Sequence, residues 1–135
     1  MPWPSITALY LAMLALVYAL LSMHVVWLRG RNLAAFGDAD NQALRSAIRA
    51  HAHFAEYVPI TTLMVAMLEM SGLPGMRVHL LMAALLLSRL MHPLGMYARP
   101  KTLPFRIFRT GGMTLTITLL IVCAVMILLR LWRSV

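Results

Sequence analysis

The chain has 135 residues, enough for one domain, and 61% of them are hydrophobic while only 12% are charged. Soluble domains average about 25% charged residues, so the charged residues are too few to cover a water-exposed surface, which excludes a soluble globular protein. Twelve basic residues oppose four acidic ones. In so apolar a chain this excess indicates membrane topology and contact with anionic lipid, and no nucleic-acid partner is expected.

Four segments are long and apolar enough to cross a bilayer, which takes about 20 residues of helix. We predict the spans Ile6–Leu28, Phe54–Leu73, Val78–Tyr97 and Thr110–Leu129. Helices satisfy their own backbone polar groups, as the lipid interior requires, and the alternating pattern of barrel strands is not seen. The predicted fold class is therefore all-α, an integral membrane four-helix bundle that forms a single domain over residues 1–135.

The connections between these spans differ in charge. Basic residues are concentrated around the first and third connections, at Arg29, Arg31, Arg45, Arg49, Arg99, Lys101, Arg106 and Arg109, whereas the second connection has only Arg77. Because cytoplasmic loops carry the excess of arginine and lysine, we predict that loops one and three are cytoplasmic. Arg130 and Arg133, near the C-terminus, argue the other way. The second helix is expected to begin near Gln42, after capping residues at 37–41.

Ionisable residues inside membrane spans are expensive and are functional candidates by default. Arg45, Arg49, His53 and Glu56 are four, four and three residues apart, so they share one face of the second helix, and Tyr57 lies one turn from His53. On the third helix, one face carries Arg89, His92, Met96 and Arg99. These two polar stripes predict a shared polar cavity. The alternative is that Glu56 only neutralises Arg49 or Arg89 in a structural ion pair.

Two segments carry a resemblance to a known family. The run RAHAHFAEYVP, from Arg49 to Pro59, resembles the helix-two signature of the MAPEG family, the membrane-associated proteins of eicosanoid and glutathione metabolism. The run SRLMHPLGMY, from Ser88 to Tyr97, is similar to the end of that family's third helix. The resemblance extends over nearly the whole chain and is greatest for the short bacterial branch, which implies a multi-pass protein of the bacterial inner membrane.

Membership of this family implies a homotrimer that binds glutathione, as co-substrate, between neighbouring subunits. From the resemblance and the polar stripes together, the residues expected to bind glutathione are Arg29, Arg49, His53, Glu56, Tyr57, Arg89, His92 and Tyr97. The candidate catalytic residues are Arg106, Arg109 and Arg31; the resemblance implies that either Arg106 or Arg109 activates the thiol. His53 stands where the family prefers asparagine, and His92 stands where some members have tyrosine.

These residue types suit the chemistry of glutathione. Arginine forks bind carboxylates bidentately, a glutamate can receive the ammonium, and a nearby guanidinium stabilises the nucleophilic thiolate. The predicted function is a membrane-bound glutathione-dependent transferase or peroxidase, whose lipophilic electrophile arrives from membrane lipid.

Three alternative functions differ in how well the sequence fits them. The His53 departure favours a glutathione-binding or structural membrane protein without catalysis. A proton-coupled exporter would need an embedded carboxylate, often in helix one, and helix one has none. A haem protein with His53 and His92 as axial ligands is a further alternative. No metal site is predicted.

Overall fold

The computed structural model describes residues 3–96, 102–103 and 105–134. Within them lie four α-helices: α1 (Ser5–Arg31), α2 (Gln42–Met70), α3 (Gly75–Met96) and α4 (Gly112–Ser134). A π-helical segment, Phe105–Gly111, leads directly into α4. The predicted all-α four-helix membrane bundle is confirmed.

Three helical stretches are long and apolar enough to cross a membrane: Ser5–Arg31, Gly75–Met96 and Phe105–Arg133. The 29-residue α2 is the longest helix of the described part of the chain, but the polar stripe in its first half lowers its apolarity. It ends at Met70, three residues before the predicted limit of the second span, because Gly72 adopts a left-handed conformation (φ +86°) in the turn to α3. The predicted end of the third span, Tyr97, lies outside the described residues.

The start of α2 follows the capping chemistry of its sequence. The side chain of Asn41 accepts a hydrogen bond from the Leu44 N–H at 3.0 Å, and its amide nitrogen donates to Asn32 Oδ1 at 2.9 Å. An N-cap side chain satisfies one of the free N–H groups at a helix start, so the predicted beginning near Gln42 is confirmed. Arg45 Nε lies 2.5 Å from Asp38 Oδ2, and this guanidinium lowers the pKa of the Asp38 carboxyl.

The four helices pack around a main apolar interior, and a smaller apolar cluster lies between α1 and α2. The buried members of the main interior are Leu14, Phe54, Val58, Val65, Leu68, Leu73, Val78, Met82, Leu85, Leu119 and Cys123. Large apolar side chains are also exposed along the bundle, for example Leu16 at 69% and Leu128 at 65%. Lipid solvates such side chains, so the outer surface is that of a membrane protein.

The bundle has two ends. The first-loop end holds the C-terminus of α1 and the N-terminus of α2; the second-loop end holds the C-terminus of α2 and the N-terminus of α3. At the second-loop end, Glu69 of α2 accepts hydrogen bonds from Ile6 N at 3.0 Å, Thr7 N at 2.8 Å and Thr7 Oγ1 at 2.6 Å. Its carboxylate therefore caps the N-terminus of α1, where N–H groups lack helical partners and negative charge is favoured.

A second cap at the same end involves a cation. Arg130 of α4 donates from Nη1 to the Ser71 carbonyl oxygen at 2.5 Å and to Ser71 Oγ at 2.6 Å. Ser71 follows the last residue of α2, so a guanidinium meets the free carbonyls of a helix C-terminus, the favourable sign for the helix dipole. Together, Glu69 and Arg130 join α1, α2 and α4 at the second-loop end.

We predict that Glu69→Ala lowers the free energy of unfolding in detergent by about 1 to 2 kcal/mol, because three acceptor contacts at a helix start are lost. Glu69→Gln is the matched control, since it keeps an acceptor oxygen but removes the charge, and it should fall between wild type and Glu69→Ala. Thermal unfolding followed by circular dichroism measures both. Equal midpoints for all three proteins would contradict the capping role.

Candidate functional site

The polar stripe of α2 runs from the first-loop end into the bundle. Arg49 is exposed, His53 and Tyr57 are half-buried, and the Glu56 side chain is 58% exposed. At 1.5 Å of rise per residue, Arg45 and Glu56 are separated by roughly 16 Å along the helix. The stripe is therefore long enough to serve an extended polar ligand, and two cavities lie along it.

The first, which we call the loop-one cavity, has a volume of about 490 Å³. Its lining residues are Arg29, Gly37, Asp38, Arg45, Ile48 and Arg49. Asp38 holds the Arg45 guanidinium, and Arg29 donates to the Ala35 carbonyl oxygen at 3.0 Å. Arg49 has no polar side-chain partner among the described residues. The cavity thus presents one free and one partly engaged guanidinium, a combination suited to carboxylates.

The second, which we call the histidine cavity, has a volume of about 310 Å³ and lies deeper along the stripe. Its lining residues are His53, His92, Arg109, Thr110, Met113, Thr114 and Ile117. The rings of His53 and His92 meet edge to face, with centroids 5.2 Å apart. The two polar stripes predicted from the sequence therefore come together here, one histidine from each.

Both histidines have a ring nitrogen without a hydrogen-bond partner in the described part of the chain. His92 Nδ1 lies 3.4 Å from the Arg109 carbonyl oxygen. A carbonyl oxygen only accepts, so this hydrogen bond needs the proton on Nδ1. In a neutral ring, Nε2 is then an acceptor. His53 Nδ1 lies 3.4 Å from Glu56 Oε2 but makes no hydrogen bond. Buried polar atoms are usually satisfied, so these nitrogens are available to a bound molecule.

Arg89 lines neither cavity. It is 1% exposed, and its guanidinium donates to the His53 carbonyl oxygen at 3.2 Å and to Thr116 Oγ1, joining α3 to α2 and α4. Its Cζ also lies 6.0 Å from the centre of the Tyr57 ring. The structure thus places Arg89 behind the histidine cavity, where it holds the backbone of His53.

The alternative of a structural ion pair between Glu56 and Arg49 or Arg89 is not seen among the described residues. The Glu56 side chain is 58% exposed, and its Oε2 lies 3.4 Å from His53 Nδ1. Arg89 is instead satisfied by uncharged oxygens of three helices. The Glu56 carboxylate is therefore left for another partner.

Of the three arginines predicted to be catalytic, only Arg109 lines the histidine cavity. Its Cζ lies 5.1 Å from the centre of the Phe105 ring. Arg106 is exposed and lines neither cavity, and the exposed Arg31 stacks on Trp27, with Cζ 4.8 Å from the ring centre. Tyr97, also predicted to bind glutathione, lies outside the described residues.

Two glycines bring α3 and the start of α4 close together. A Cβ added at Gly95 would lie 2.7 Å from Arg109 Cα, and one at Gly112 would lie 3.1 Å from the Ser88 carbonyl oxygen. Only glycine allows this approach, which sets Arg109 beside His92. The sequence predicts no role for Gly95 or for the threonines of the histidine cavity; for Gly95, the available signal is a glycine inside a helical pattern.

These features define a class of protein: a bundle of membrane helices with an arginine-rich polar stripe and a cavity beside the start of its last helix. Residues 7–129 match the sequence profile of the MAPEG family. The chain belongs to the MAPEG family, which confirms the resemblance. It is similar to two proteins named "Inner membrane protein YecN", from two strains of Escherichia coli, each 37% identical over 127 residues, or 94% of this chain and 91% of theirs. No solved structure matches.

We predict that Gly95→Ala disturbs the histidine cavity, because the new methyl group must displace the backbone of Arg109. Overpacking of this kind costs about 1 to 3 kcal/mol, more than the roughly 0.5 to 1 kcal/mol that alanine gains in a helix. Gly111→Ala is the matched control, since its Cβ would meet only the Arg106 carbonyl oxygen at 3.8 Å. Thermal unfolding in detergent compares them, and equal midpoints would argue against the close approach.

Proposed function

We propose that this protein is a membrane-bound glutathione-dependent transferase or peroxidase that acts on a lipophilic electrophile. The observation that carries the proposal is the order of groups along one face of α2: guanidinium groups in the loop-one cavity, then His53 in the histidine cavity, which Arg109 also lines, and then Glu56. Membership of the MAPEG family supports it. Neither the family nor the name of YecN specifies the reaction of this chain.

The dimensions of the stripe suit a tripeptide. Arg49 and Glu56 are seven residues apart, or about 10 Å along the helix, and three extended residues reach about the same distance. Glutathione bound along the stripe would place a carboxylate at Arg29 or Arg49, its ammonium at Glu56 and its thiol in the histidine cavity. That carboxylate and the ammonium would then each meet an opposite charge.

The histidine cavity supplies groups for thiol chemistry. A guanidinium beside the sulfur favours the thiolate, which is the nucleophile, and Arg109 is the arginine in position to do so. His92 Nε2 is an acceptor for the proton that leaves the thiol. In a transferase reaction the thiolate sulfur forms a bond to an electrophilic carbon, and the displaced group leaves with the electron pair.

The exposed charges of α2 favour an oligomer, and the family resemblance implies that this oligomer is a homotrimer. Arg49 and Glu56 stand on the surface of one subunit, and uncompensated charge is expensive against lipid. A neighbouring subunit packed on this face would cover both residues and close the two cavities, so glutathione would lie between subunits. In this assembly we place loops one and three in the cytoplasm of a bacterium and the helices in its inner membrane.

We predict that Arg49→Ala and Glu56→Ala each weaken glutathione binding by about 2 kcal/mol, or about thirtyfold, because each removes a charged hydrogen-bond partner. Arg106→Ala is the control, since Arg106 lines neither cavity. Isothermal titration of the solubilised protein measures affinity, and its mass in mild detergent tests the trimer.

Unchanged affinity in a folded Arg49→Ala or Glu56→Ala protein would remove that residue from the binding site. Wild type that binds glutathione but conjugates no member of a panel of electrophiles would favour a binding protein without catalysis.

We further predict that Arg109 lowers the pKa of the thiol of bound glutathione. An ordinary thiol has a pKa of about 8.5, and lowering it by about two units takes roughly 2.7 kcal/mol of preferential thiolate stabilisation. The thiolate is then the main form at neutral pH, and ultraviolet difference spectroscopy on mixing with glutathione should detect it. Arg109→Ala should abolish the signal at saturating glutathione, and Arg106→Ala should keep it. The opposite pattern would assign thiol activation to Arg106.

A further inference from the structure

A third cavity lies at the second-loop end, between the first turn of α3 and the last turns of α4. It has a volume of about 230 Å³ and is lined by Leu73, Arg77, Met126, Leu129, Arg130 and Arg133. Arg77 and His92 are 15 residues apart on α3, or about 22 Å along the helix. This cavity, which we call the outer cavity, is therefore separate from the polar stripe and from the proposed glutathione site.

The three arginines of the outer cavity have no compensating carboxylate. This holds for the described residues, among which none of the three forms an ion pair. Glu69, at the same end, is engaged by the N-terminus of α1. Arg130 is fixed by its hydrogen bonds to Ser71, which use only Nη1 and leave its other donors free. Three guanidinium groups around one space repel one another unless an anion lies between them.

The other half of the lining is apolar. Leu73, Met126 and Leu129 face the same space as the arginines. A small hydrated anion would make no favourable contact with this apolar half of the lining. The volume of the outer cavity is smaller than the roughly 300 Å³ of the smallest pockets that bind drug-sized molecules, so it would hold only part of a large ligand. The residues lie at the ends of spanning helices, the level at which lipid headgroups are found. A phosphate group with an attached acyl chain matches both halves.

We propose that the outer cavity binds the phosphodiester of an anionic phospholipid, with the guanidinium groups on the phosphate and the acyl chain along Met126 and Leu129. Arginine forks match the oxygens of a phosphate. The site is independent of the proposed catalytic function and lies at the opposite end of the bundle.

Native mass spectrometry of the solubilised protein, titrated with phosphatidylglycerol, tests this site. The variant is Arg77→Gln with Arg133→Gln, which leaves Arg130 in place as the cap of α2. The charge-matched control is Arg31→Gln with Arg106→Gln, at the first-loop end. We expect phosphatidylglycerol to bind the variant at least about tenfold more weakly than wild type, because two charge-assisted contacts are lost, and the control to bind it as wild type does.

Wild-type competition gives a second measurement that does not depend on the variant folding. We expect phosphatidylglycerol to be preferred over phosphatidylcholine, and millimolar inorganic phosphate not to displace it. Equal weakening in variant and control would overturn the proposal, because binding would then follow net charge only. Displacement by inorganic phosphate would also overturn it, in favour of a site for a free anion.

Discussion

The structure depends on the rule that a polar group inside a bilayer must find its partner within the protein, because lipid offers none. Arg89 shows the consequence most directly. Its guanidinium is buried at the centre of the bundle and is held by a carbonyl oxygen of α2 and a hydroxyl of α4. It therefore fixes three helices relative to one another, and the carbonyl it holds belongs to His53. The position of the histidine cavity follows from an interaction made for packing.

The same rule organises the two ends differently. At the second-loop end, Glu69 and Arg130 bind the free backbone groups of α1 and α2, so charged side chains cap these helices. At the first-loop end, Asn41 caps the start of α2, and Asp38 pairs with the Arg45 guanidinium in the first turn of that helix. The Arg49 side chain has no polar partner in the described part of the chain, and Glu56 Oε2 has only His53 Nδ1 nearby, at 3.4 Å. A membrane protein keeps such charges only where something else will neutralise them.

The sequence was sufficient for the bundle because its signals are strong and local. Four apolar runs, the Asn41 cap and the spacing of the α2 stripe each depend on neighbouring residues. The choice between Arg106 and Arg109 could not be made in this way, because it turns on contacts between α3 and the π-helical segment before α4. The close approach at Gly95 and the neutral partners of Arg89 likewise join residues far apart in the chain. Helical periodicity predicts which face of a helix such residues lie on, but only the packing of the helices determines which residues that face contacts.

The distribution of arginine also bears on topology. Eight basic residues lie around loops one and three, against Arg77, Arg130 and Arg133 at the other end. The positive-inside rule compares the numbers of basic residues on the two sides of the membrane. The three arginines at the second-loop end reduce the difference between the two sides. Their positions give them another role, since Arg130 caps α2 and all three border one cavity. A cation that caps a helix end or lines a cavity has a structural reason for its position that is separate from orientation. For this reason the three arginines do not change the prediction, made from the excess at loops one and three, that these loops face the cytoplasm.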